Sequence, residues 1–147
     1  MSLFLVLGLG MSAVALDPAD LQHRTQLEHA GSSIDVQYQT QVSLVTRQIG
    51  TPTKAGTPST LRCLWRADVG VAREARHGTG VRLSRGIGRE GILEGSRPGW
   101  CAANRKSIAR EVASRAPEVR THVAAIARDD ESVLRAELEG TSMRREG

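Results

Sequence analysis

The sequence predicts an α+β fold: an antiparallel sheet of three to four strands packed against a long C-terminal helical segment, closed by one disulfide. Three observations carry this. Apolar and polar residues alternate with period two from Ile34 to Leu44, and again from Leu61 to Val71. Apolar residues then recur at intervals of three and four from Ile108 through Val112, Ala116, Val119 and Val123 to Ile126, and resume at Val133 and Leu134 after a gap near Asp130. The only two cysteines, Cys63 and Cys101, link the second alternating stretch to the start of the helical one.

Residues 1–15 read as a signal peptide, with a buried N-terminal strand or an uncleaved anchor as the alternatives. These residues carry no charge, run apolar from Leu3 to Leu9, and end in the small-residue pattern Ala13-Val14-Ala15. They are shorter than the roughly 20 residues that cross a bilayer as a helix. Residues 16–31 form an N-terminal segment. There Asp17 can cap a helix, Pro18 suits its first position and Asp20 complements the dipole, so a short helix is expected from Pro18 to about His29, stopped near Gly31.

Residues 32–140 are the expected single domain. In the first strand Ile34, Val36, Tyr38, Thr40, Val42 and Leu44 share one face. Gly50 to Ser59, rich in Gly, Pro and Thr, is a loop. In the second strand Leu61, Cys63, Trp65, Ala67, Val69 and Val71 face inward, with Arg62, Arg66 and Asp68 outward. His77-Gly78-Thr79-Gly80 turns into a third strand from Val81, and Ile92-Leu93 adds a short edge piece. Arg97-Pro98-Gly99 ends the sheet. Pro117 either kinks one helix or separates two, because it lacks a backbone donor. Asp129-Asp130 marks another break, with Asp129 to Glu131 as a solvated acidic cluster. Residues 141–147 are expected to fray.

An exported chain with two cysteines favours a Cys63–Cys101 disulfide. Aromatic residues make up only 3% of the chain, so the core must be aliphatic and gains from such a staple. The expected location is periplasmic or secreted.

Charge is uneven. Residues 62–128 hold 14 basic and 6 acidic side chains, and residues 129–147 hold 3 and 6. Arg62, Arg66 and Arg82 are the candidate anion-binding residues, expected on one outward sheet face among a basic strip that also includes Arg73, Arg76, Arg85 and Arg89. An anionic envelope component or an acidic protein is the expected partner class. Nucleic acid is disfavoured, since that face has no stacking aromatics.

No catalytic, cofactor or metal residues are assigned. Gly86, Gly88 and Gly91 match G-x-G-x-x-G, but Ile92 to Glu94 leave no room for the following helix, so the motif reads as a loop and no cofactor is expected. His23 and His29 are six apart, off-face on a helix, and His122 has only Glu118 at helical spacing. No nucleophile motif is present. The leading expectation is a non-catalytic binding module. The rivals are a small hydrolase or metal-dependent enzyme with a site assembled from loops, and a structural periplasmic protein with no specific ligand.

Overall fold

The computed structural model describes residues 10–14, 16–56 and 59–146. The fold is α+β as expected, with an antiparallel sheet of five strands, a long C-terminal helix and the Cys63–Cys101 disulfide. The strands are β1 (Gly10–Ala13), β2 (Gln22–His29), β3 (Ser32–Ile49), β4 (Arg62–His77) and β5 (Arg82–Pro98). The helices are α1 (Cys101–Ser114) and α2 (Ala116–Glu146). The sheet order is β1-β3-β4-β5, and β2 also pairs with β3.

The chain divides into two compact units. One holds the described part of Met1–Ala15 with Val42–Val69 and Glu90–Arg115. The other holds Leu16–Gln41, Gly70–Arg89 and the described part of Ala116–Gly147.

In the first unit β1 pairs antiparallel with β3, from Gly10 opposite Thr46 to Ala13 opposite Ser43. The leader expected over 1–15, with its cleavage after Ala15, lies mostly outside the described residues. Its described part forms β1 and the buried Val14. Strand alternation buries Leu44, Cys63, Trp65, Ala67 and Val69, which share the unit's core with Leu93, Ile108 and Val112. The two cysteine Cα atoms are 4.8 Å apart. Trp65 packs where a side chain is missing: a Cβ on Gly95 would sit 2.8 Å from its indole ring. Trp100 caps α1 without a side-chain hydrogen bond. Gln48 supplies the partner instead, accepting from Cys101 N at 2.6 Å while its Nε2 donates to Arg62 O at 3.0 Å and Gly99 O at 3.1 Å.

In the second unit Asp17 does cap a helix, its Oδ1 accepting from Ala19 N, but the helix is one 3₁₀ turn, Pro18–Leu21. The expected helix to His29 is instead β2, paired antiparallel with β3 from Gln22 opposite Gln39 to His29 opposite Ser32. Ala30 (φ 50°) and Gly31 (φ 79°) make the tight turn, and both positive angles fit the twist of a two-residue hairpin.

The expected turn at His77 to Gly80 is present, but the strand after it runs unbroken from Arg82 to Pro98 and absorbs both the glycine-rich stretch and Ile92-Leu93. Pro117 separates two helices: α1 ends at Ser114, and Pro117 lies in the first turn of α2, where its missing donor is not needed. No break occurs at Asp129-Asp130, and the expected frayed tail continues α2 to Glu146. The inward stripe of α2 is Val119, Val123, Ala127, Asp130, Leu134 and Leu138, at steps of four, four, three, four and four.

Candidate functional site

The three arginines singled out from the sequence are all exposed, and each has a local partner. In the first unit Arg62 Nη2 donates to Ser96 Oγ at 2.8 Å. Arg66 grips Asp68 through two bonds, Nε to Oδ1 at 2.5 Å and Nη2 to Oδ2 at 3.1 Å. Hydrogen bonding to Asp68, with its negative charge, raises the Arg66 pKa further. In the second unit Arg82 lies 3.9 Å from Glu74, whose Oε1 also accepts from Arg76 Nε at 2.8 Å. Of the three, Arg62 alone has no carboxylate partner among the described residues.

Arg73 and Arg85 do not belong to an exposed basic strip, and Asp130 is not solvated. Arg73 follows Val71 on the inward face of β4 and Asp130 lies on the inward stripe of α2, so both enter the second unit's core. Arg73 Nε donates to Asp130 Oδ2 at 2.7 Å and Nη2 to Oδ1 at 3.2 Å. Asp130 also accepts from Tyr38 Oη at 2.9 Å and Arg85 Nη1 at 2.5 Å. Arg73 Nη1 and Nη2 reach Glu137 at 2.7 and 3.3 Å.

Two arginines therefore balance two carboxylates. Burial works against the Asp130 charge, but the hydrogen bonds from Arg73, Tyr38 and Arg85 outweigh it and hold the carboxyl below its ordinary range. Burial, then the bond to Asp130, pushes the Tyr38 phenol well above its ordinary value. Tyr38 and Arg73 thus hold their protons more tightly than usual, while Asp130 stays ionised between them. The set joins α2 to the sheet within this unit.

The accessible cations lie elsewhere. Helix α1 turns Ile108 and Val112 into the first unit's core and leaves Arg105, Lys106 and Arg110 exposed. None of these three has an ion pair among the described residues. The one acid of α1, Glu111, accepts from Arg97 Nη2 at 2.7 Å. Trp100, just before the helix, is 51% exposed. Spacing alone places Lys106 and Arg110 on one helix face, four residues apart.

Among the described residues no three His, Cys, Asp or Glu side chains converge as a metal-ligand set, and no helix is long and apolar enough to cross a membrane. No protein-family model, curated protein or solved structure matches the chain.

Proposed function

We propose that the protein is an exported, disulfide-stapled binding module without catalysis, and that its partner is a phosphate-bearing, anionic component of the cell envelope. The observation that carries this reading is helix α1, on which Arg105, Lys106 and Arg110 stand exposed and, among the described residues, without ion pairs. Unpaired surface cations attract polyanions at long range, and arginine holds phosphate oxygens bidentately. Trp100, exposed at the start of the same helix, supplies an amphipathic ring of the kind that settles at lipid headgroups.

Arg62 extends the reading as a further exposed cation, while Arg66 and Arg82 contribute less, since Asp68 and Glu74 already offset them. The disulfide supports an oxidising compartment. Cleavage after Ala15 removes β1 and uncovers the β3 edge at residues 43–46.

Co-sedimentation with lipid vesicles tests the proposal. The protein should pellet with vesicles rich in phosphatidylglycerol at low salt and remain in the supernatant with phosphatidylcholine alone. Equal behaviour with both compositions overturns it.

A further inference from the structure

We propose that a glycine-floored saddle on the outer sheet face of the second unit is a binding site for an anionic saccharide. Gly70 of β4 and Gly86 and Gly88 of β5 form its floor, and Gln39, Gln41 and Arg89 border it, around a cavity of about 400 Å³. That volume falls in the range of small-ligand clefts, about 300–1,000 Å³.

Packing does not explain these glycines. A Cβ on Gly86 or Gly88 would have no atom within 4 Å, and one on Gly70 would meet only ordinary contacts, the nearest Arg89 Nε at 3.7 Å. A glycine inside a strand weakens it, and a β-branched residue on a solvent face would strengthen it. Gly88 alone has a conformational reason, its φ of +39°. At Gly70 and Gly86 the absent side chain lets a ligand approach the backbone closely, one of the roles of glycine in a strand.

The border has matching chemistry. Gln39 and Gln41 are exposed, and each carboxamide offers two donors and an acceptor for sugar hydroxyls. Arg89 is exposed with no ion pair among the described residues, and its planar fork fits a carboxylate or a phosphate. No acidic side chain lines the saddle. A hydroxyl-rich ring bearing one negative group satisfies all three side chains. The site uses none of the α1 cations, so it stands apart from the envelope-surface reading.

An NMR titration of the isotope-labelled full chain tests this with three probes: an oligomer of glucuronic acid, a sugar phosphate and an uncharged cello-oligosaccharide. The backbone amides of Gly70, Gly86 and Gly88 should shift with the uronate, the sugar phosphate or both, and the responding arm identifies the anionic group. Arg89→Gln should weaken that binding by about tenfold, the scale of one charge-assisted hydrogen bond. Gly86→Val, which enters open space and leaves the fold intact by circular dichroism, should abolish it. Replacing Arg105, Lys106 and Arg110 with Gln should leave it unchanged. Silence of the three glycines towards both anionic probes overturns the proposal. So does binding that Arg89→Gln and Gly86→Val leave intact, binding lost with the α1 cations, or equal affinity for the uncharged probe.

Discussion

Arg73 Nε donates to Asp130 Oδ2 at 2.7 Å with the two side chains 0% and 1% exposed, a buried ion pair joining β4 to α2. Removing either partner takes away the other's fully buried counter-charge, leaving Arg73 only Glu137, or Asp130 only Arg85 and Tyr38. Arg73→Ala or Asp130→Ala should therefore lower stability by at most about 3–5 kcal/mol, the cost of a buried charge left wholly unpaired, read from urea unfolding midpoints. The double substitution should cost far less than the two single costs added together, because neither charge is then left alone. Additive costs would contradict a coupled pair.

The same carboxylate predicts an acid dependence. The folded pKa of Asp130 lies below its unfolded value of about 3.9. Its contribution is therefore full above the unfolded pKa and is lost as pH falls through the folded one. Thermal melts should show the wild type losing its advantage over Asp130→Asn across that acid window. A gap between the two proteins that persists undiminished to the lowest pH would contradict the assignment.

Tyr38 is the only tyrosine in the chain, so its ionisation is read without overlap. Burial and the bond to Asp130 raise its pKa above the ordinary value of about 10. In an alkaline titration, tyrosinate absorbance should appear only together with loss of the circular dichroism signal. Ionisation near the ordinary value in folded protein would show that the phenol is not held as described.

The Cys63–Cys101 bridge spans 38 residues, for which the chain-entropy relation gives about 4 kcal/mol. Reduction or a Cys63→Ser/Cys101→Ser double variant should show a loss of that order. Gln48→Ala should cost a further and separate amount, about 1–2 kcal/mol, because Cys101 N then loses its partner at the start of α1. Unchanged stability of Gln48→Ala would deny it that capping role.

Ala30 takes a φ of +50° in the β2–β3 turn, a region that costs an L-residue roughly 1–2 kcal/mol. Ala30→Gly should relieve part of this and raise the melting temperature. A lower melting temperature would contradict the turn geometry.

This turn also explains the largest departure from the sequence expectation. Ala-Gly is not among the dipeptides that announce a tight hairpin, and the Asp17-Pro18 cap belongs to a genuine helical turn that stops after four residues. The inward positions of β2 are His23, Thr25, Leu27 and His29, a single aliphatic among four, so its alternation is nearly silent. Strands β3 and β4 were legible because their inward positions are almost all apolar, and the parity that turns Cys63 and Trp65 inward placed the disulfide correctly.

The buried charge network is hard to see in the sequence for the opposite reason: charge usually marks exposure. Yet Arg73 keeps the inward parity of Val71 and Ala75, and Asp130 falls on the apolar stripe between Ala127 and Leu134. Two opposite charges in apolar registers are the available signal. The partners of Arg66 and Arg82 were hidden differently. Asp68 and Glu74 share the outward parity of β4, but spacing along a strand does not say which side chains will pair.

On the proposed function, Arg105, Lys106 and Arg110 of α1 bind a polyanionic surface. Affinity for phosphatidylglycerol vesicles, measured across a salt series for the wild type and for a variant with Arg105, Lys106 and Arg110 all changed to Gln, tests it most directly. Wild-type binding should weaken steeply as salt rises, since exposed charges are screened beyond about 8 Å at physiological ionic strength. The variant should keep its melting temperature and lose most of that affinity and its salt dependence. Binding by the variant that equals the wild type at every salt concentration would rule out these three cations as the binding surface.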